Sequence, residues 1–257
     1  MSPETSYGID VLAFGAHPDD VEIFCGGVLI TLADLGYRTG IVDLTRGELA
    51  SQGEVDERAA EAEAAAKVMG LSVRENLGLP DGFIDASPDS PQLPIAVEAL
   101  RRHRPELVLM PWIEERHPDH VAASALMTRA LFFAGLRKFG APGGAGPFAP
   151  RQALAYEMRH RMTASFIVDT SKAWERKARA IACHASQVTR RDATAATLIS
   201  SPLAIEAIEA RDRYRGSEIG VRHGEALYGP QTLGLVDPLA HFRANPSSGA
   251  HAFETPR

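Results

Sequence analysis

The amino-acid sequence predicts a single α/β domain, a mostly parallel β-sheet flanked by helices. Three observations carry that expectation. Short apolar runs alternate with segments of helical period through about residue 135, the pattern of right-handed βαβ units. The strand-like runs are almost continuously apolar, as befits strands covered on both faces. The 257 residues are 45% apolar and 23% charged, enough for one sizeable core.

Residues 10–15 form a short apolar run ending in glycine and predict a buried strand. Residues 21–35 carry apolar side chains at helical spacing and stop at Gly36, a natural C-terminal cap. Residues 39–44 predict a second strand, and the Ala- and Glu-rich stretch 56–69, ending at Gly70, a helix with an exposed face. A weaker strand follows at 71–77, then a helix at 93–103, a buried strand at 107–111 and a long helix at 120–139. The run GAPGGAGPFAP at 140–150 predicts a flexible loop. Beyond it, 153–159 and 165–169 predict strands that extend the same sheet, and 171–184 and 202–214 predict helices. We expect one domain over 1–239 and a frayed tail over 240–257, where Pro, Ser, Gly and His mix.

Composition narrows the function. The net charge of −6 argues against a nucleic-acid partner, which needs a basic face. Two isolated cysteines, Cys25 and Cys183, give no disulfide framework and no cysteine zinc site, and suit a reducing compartment. The N-terminus lacks the basic and apolar regions of a signal peptide, and no run approaches the ~18 apolar residues of a spanning helix. The expectation is a cytoplasmic protein without a membrane partner.

In open parallel sheets, ligands bind outside the C-terminal ends of the strands. Three polar segments fall at such ends: His17-Pro18-Asp19-Asp20, Thr45-Arg46-Gly47-Glu48, and the stretch 114–120 that closes in His117-Pro118-Asp119-His120. Histidine and aspartate without cysteine make a nitrogen–oxygen donor set. A catalytic zinc usually takes three such ligands and keeps one position open. His17 and Asp20, three apart, can turn toward one ion, and His120 can add a ligand from another strand end. Water at such a site ionises near pH ~7. Asp19 then stands beside the ion, free to take the water's proton. Pro118 suits a first helical position, so the second motif opens a helix. His117 could stabilise an oxyanion or the leaving amine in its protonated form, with Asp119 holding the ring and raising its pKa. Either motif alone reads best as a cap and turn; two of them at strand ends do not. Arg46 and Glu48 are either substrate contacts or solvated loop charges. Arg58, on the Ala/Glu helix, could be an ion-pair partner on its own helix face. The other histidines are scattered and read as surface or core residues.

These motifs resemble the LmbE or PIG-L family of zinc-dependent N-acetylglucosamine deacetylases, whose two signatures match AHPDD at 16–20 and HPDH at 117–120. The stretch 45–82, TRGELASQGEVDERAAEAEAAAKVMGLSVRENLGLPDG, is similar to the bacillithiol-biosynthesis branch, as are RHPDHVAAS at 116–124 and AGLRKF at 134–139. The likeness spans about residues 9–237 and implies a Rossmann-like fold. It implies zinc on His17, Asp20 and His120, Asp19 as general base, His117 as electrostatic catalyst oriented by Asp119, and Arg58 as a substrate-binding arginine. The implied substrate is N-acetylglucosaminyl-malate, and the implied assembly a homo-oligomer, a hexamer built from trimers. The chain departs from the pattern where some relatives place a late tyrosine, since SSPLAIE at 200–206 offers none. An active-site arginine of a relative matches either Arg151 or Gln152. Iron(II), cobalt or manganese could fill the same donor set as zinc. The rival expectations are a deacetylase of another GlcNAc conjugate or a chitooligosaccharide, and a non-hydrolytic nucleotide-binding module. GAHPDD after the first strand, in place of a glycine-rich phosphate loop, speaks against the last.

Overall fold

A computed structural model of the chain describes residues 7–140, 144–188, 201, 203–232, 234, 236–237 and 240. Its elements run β1 (Ile9–Gly15), α1 (Asp20–Asp34), β2 (Thr39–Thr45), α2 (Val55–Met69), β3 (Val73–Leu79), α3 (Gln92–His103), β4 (Pro105–Pro111), α4 (Pro118–Ala134), β5 (Gln152–Tyr156), β6 (Phe166–Asp169), α5 (Trp174–Cys183), α6 (Ala185–Val188), α7 (Ala204–Glu218) and β7 (Gly224–Tyr228). The seven strands form one sheet in the order β3-β2-β1-β4-β5-β7-β6. The first five are parallel to their neighbours, and β7 lies antiparallel between β5 and β6. The single mostly parallel α/β sheet expected from the sequence is thus the observed architecture.

Period-2 alternation splits the core. Val11 and Ala13 of β1 face one layer with α1, α5 and α7, while Leu12 and Phe14 face the other with α3 and α4. Both faces are covered, which is why these strands read as unbroken apolar runs. The chain order reverses between β1 and β4, which pair directly, with Val11 opposite Leu107. A crevice therefore opens beyond their C-terminal ends, where His17 and the 114–120 segment emerge.

Most element ends shift by a few residues, and two larger differences from expectation have a physical reason. The long helix expected at 120–139 stops at Ala134. Gly135 and the turns beyond it interrupt the ladder, and the side chain of Arg101 takes up the carbonyls of Ala134, Leu136 and Phe139. The strand β7 was not legible as one. Its second residue, Glu225, breaks the apolar pattern, yet is buried. The reason lies in α1, whose backbone departs from helix at Cys25 (φ −144°, ψ 19°). The amides of Gly27 and Val28 donate instead to Glu225 Oε1 and Oε2, at 2.9 and 2.7 Å. Lys177, itself buried, donates to Glu225 and to Asp212. Gly27 has to be glycine, because a Cβ there would lie 2.7 Å from Glu225 Oε1 and 2.8 Å from Thr170 Cβ. Part of the 140–150 loop and nearly all of the expected tail, 241–257, lie outside the described residues.

Candidate active site

The turn after β1 carries the first motif in a constrained backbone. Asp19 has φ 119°, a left-handed conformation that a non-glycine residue adopts only where its surroundings hold it, at a cost of ~1–3 kcal/mol. Asp19 stands at the N-cap of α1 but makes no capping bond with its side chain. Its carboxylate is therefore not spent on the helix and lines the cavity instead. The second motif behaves differently. His117 caps α4 by accepting the N–H of Asp119 on its Nδ1, at 3.2 Å, with Pro118 in the first turn.

The two motifs meet as the sequence predicts. His17 Nδ1 lies 3.3 Å from Asp20 Oδ2, and His120 Nε2 lies 3.1 Å from Asp20 Oδ1. His17, Asp20 and His120 are all buried, and each offers a donor atom within 4.8 Å of the others. A second such group, His17, His117 and Asp119, shares one histidine with the first. The rings of His17 and His120 sit 5.3 Å apart and those of His117 and His120 4.7 Å apart. Nitrogen and oxygen donors so crowded and buried suit a divalent cation. Among the described residues His120 Nδ1 is buried without a hydrogen-bond partner, and Nε2 is the atom aimed at Asp20.

The electrostatics follow from burial against partners. Burial raises the pKa of Asp19, and Arg58 only partly offsets this, leaving it at about 6. Burial also opposes charge on Asp20, but His120 and His17 outweigh it and hold that carboxyl well below its ordinary value. On His17, burial is overcome by bonds to Asp119, Asp20 and Asp81, so its pKa rises well above the usual histidine value. His117 goes the other way. Burial, then the neighbouring His120 and His17, lower its pKa.

Four expectations need correction. Asp119 does not hold His117 through its carboxylate. Oδ2 accepts the Gly82 N–H at 2.7 Å and lies 3.3 Å from His17 Nε2, and only the Asp119 backbone reaches His117. Nor is His117 held as a cation. Its Nδ1 must stay bare to accept the Asp119 amide, so the neutral ring carries its proton on Nε2. Arg58 is buried and lines the cavity wall, but its guanidinium is turned to the protein. It donates to Pro18 O at 2.7 Å and Gly47 O at 3.0 Å, with Asp19 Oδ1 3.7 Å away. Arg46 points along the protein toward Gly78 and does not line the cavity, and the Glu48 carboxylate is taken by the Asp81 N–H at 2.9 Å.

Sequence reasoning passed over Asp81, which follows β3. Its Oδ1 lies 3.0 Å from His17 Nε2, and its Oδ2 accepts the Leu49 N–H at 2.8 Å. The signal was present, because Leu-Pro-Asp-Gly at 79–82 also sits at a strand end. Pro-Asp-Gly, however, is so common a turn that it carries little weight alone. Helix α7 and the 157–161 segment build the outer wall of a cavity of about 990 Å³, with Arg116, Arg159, Arg161 and Arg211 among its lining residues. Arg161 lies over the ring of Tyr214 at 4.0 Å, and Arg211 donates to Asp212 and to Ile23 O.

The chain is also similar to known proteins. Residues 12–131 match the family described as PIG-L, GlcNAc-PI de-N-acetylase. The chain is 31% identical over 187 residues to the diacetylchitobiose deacetylase of Thermococcus kodakarensis, covering 69% of each chain. Among solved structures, the conserved protein TT1542 of Thermus thermophilus is 38% identical with a TM-score of 0.79, over 90% of this chain and 98% of that one. The N,N'-diacetylchitobiose deacetylase of Pyrococcus horikoshii is 25% identical with a TM-score of 0.73, over 85% and 82%.

Proposed function

The chain belongs to the PIG-L/LmbE family of deacetylases, and from that premise we propose that it is a zinc-dependent hydrolase of N-acetylglucosamine conjugates, with N-acetylglucosaminyl-malate of bacillithiol biosynthesis as its substrate. The observation that carries the reading is the buried His17–Asp20–His120 set at the floor of the cavity, with Asp19 and His117 beside it. The same three residues would hold the zinc, which when bound supplies a Lewis acid for the amide carbonyl and acidifies a water to a pKa of ~7.

The chain's own residues do the rest. Asp19, held in its strained turn by the Arg58 clamp on Pro18, takes a proton from the attacking water. His117 presents Nε2–H to the oxygen that gains charge as the carbonyl carbon becomes tetrahedral. As a neutral donor it needs no proton uptake before the step. Asp19, now protonated, returns its proton to the amine as the C–N bond breaks. The exposed guanidinium groups of Arg116, Arg159 and Arg161 line the outer cavity and favour an acidic group on the far end of the substrate. That supports a malate conjugate over a neutral sugar. The assembly we propose is a homo-oligomer.

The test is metal analysis of the purified protein, with acetate release followed on N-acetylglucosaminyl-malate, N,N'-diacetylchitobiose and free N-acetylglucosamine, before and after chelation. Metal-dependent release that strongly favours the malate conjugate is expected. A preference for diacetylchitobiose would support the second reading, a chitooligosaccharide deacetylase, which the two relatives of that name favour. Bound metal without release from any of the three would refute both.

A further inference from the structure

The two nitrogens of His17 face opposite ways. Nδ1 is turned to Asp20, and through it to His120, while Nε2 is turned to Asp81 at 3.0 Å and Asp119 at 3.3 Å. An imidazole that gives one nitrogen to a cation keeps its proton on the other, and that proton needs an acceptor when buried. On His17 two buried carboxylates stand on the Nε2 side. Both are held there by bonds that do not involve His17. Asp81 Oδ2 accepts the Leu49 N–H at 2.8 Å, the Asp81 N–H is taken by Glu48 Oε1 at 2.9 Å, and Asp119 Oδ2 accepts the Gly82 N–H at 2.7 Å. Adjacent residues of one turn, Asp81 and Gly82, thus connect β3 to both histidine motifs. Gly82 has φ 76°, which favours glycine at this point of the turn.

We propose that Asp81, together with Asp119, is a positioning residue that accepts the Nε2–H of His17 and so aims His17 Nδ1 at the cation. The inference rests on the reading above that His17, Asp20 and His120 hold the ion. It reassigns Asp119 from orienting His117 to orienting a metal ligand, and it gives the turn after β3 a part in metal binding. A ligand histidine whose outer N–H is bonded to a carboxylate is both fixed in orientation and made more basic. Loss of such a partner typically weakens metal binding by about 10- to 100-fold. Asp81 is the more exacting test of the two, because its Oδ1 is the nearer to Nε2 and its Oδ2 is already engaged.

The experiment uses the whole chain stripped of metal and titrated with zinc against a competing chelator, for the unaltered protein, Asp81→Asn and Asp20→Ala. In Asp81→Asn the amide carbonyl can still serve the Leu49 N–H, but its NH2 then meets the His17 N–H donor against donor. We expect Asp81→Asn to bind zinc about 10- to 100-fold more weakly, and its cobalt(II) form to show a shifted visible spectrum, since the basicity of a ligand has changed. Zinc affinity within about threefold of the unaltered protein, with an unshifted cobalt spectrum, would overturn the proposal. Asp20→Ala separates the two levels. Undiminished zinc binding in that variant would overturn the ligand assignment and the proposal with it, whereas its loss leaves Asp81→Asn to decide. A nitrogen NMR spectrum of the unaltered zinc-loaded protein does not depend on any variant folding. His17 protonated on Nε2 and metallated on Nδ1 is the expected state; zinc on Nε2, as the alternative group with His117 and Asp119 would require, would sink it.

Discussion

Replacing Arg58 by alanine tests whether that side chain grips the protein or the substrate. The guanidinium is 3% exposed and donates to the carbonyls of Pro18 and Gly47 at 2.7 and 3.0 Å. A buried hydrogen bond from a charged donor is worth ~1.5–3 kcal/mol, so the pair sets a scale of ~3–6 kcal/mol. Water entering the vacated space would return part of that, and ~3 kcal/mol is the expected loss of stability. For a domain of this size that corresponds to a fall in Tm of about 6–12 °C. Catalysis should suffer separately. The Pro18 carbonyl belongs to the turn that strains Asp19, and a displacement of about 1 Å in a reacting group can cost ~100-fold in rate. The assay is thermal unfolding by circular dichroism, with kcat and KM on the N-acetylglucosamine conjugate. The clamp predicts a lowered Tm and a lowered kcat with KM little changed. An unaltered Tm with a raised KM and an unaltered kcat would show that Arg58 holds substrate, and would refute the reasoning.

Other outcomes follow from the same geometry. His117→Ala should lose the oxyanion donor, lowering kcat by about 100-fold or more while the protein still binds metal, as activity and metal analysis on one sample would show. His120→Ala should lose the metal itself, read by elemental analysis. Lys177→Met should destabilise the fold by ~3–5 kcal/mol in a denaturant titration, because it leaves Glu225 and Asp212 buried without their shared cation. Glu22 is buried, and although burial opposes its charge, Arg74 and His184 hold its pKa far below the ordinary value of 4.5. Its contribution to stability is therefore complete above that value and is lost as pH falls toward the depressed folded value. Burial opposes charge on His184, but Glu22 outweighs it and raises the pKa, so His184 contributes fully below 6.5 and loses that contribution as pH rises through its folded pKa. Unfolding free energies of the unaltered protein and Glu22→Gln should thus converge as the pH drops from near ~5 to near ~3; a difference that stays constant would contradict the assignment.

Most of the parallel half of the sheet was legible because its signals are local. A strand covered on both faces is an unbroken apolar run, and a helix that ends at Gly70 in a left-handed cap (φ 77°) announces its own stop. The candidate metal donors were legible for a related reason. His17, Asp20 and His120 fall in the connections from a strand to the next helix or in that helix's first turn, where two short histidine–aspartate motifs stand out from apolar surroundings. The roles of their supporters were not legible. Arg58 looked like a surface helix residue or a substrate contact, and only the fold brings Pro18 O and Gly47 O onto it.

By itself, then, the sequence determined the alternation of elements, the ends at which ligands gather and the chemistry of the donor set, since periodicity and residue type carry that information within a few positions. Tertiary structure alone decided which partner each buried charge would meet. Asp81 meets His17 across 64 positions, and Glu225 meets the Gly27 amide across 198. Whether a carboxylate in a short strand or a turn is solvated, or orders a site, depends on the donor that burial places opposite it. No local pattern encodes that choice.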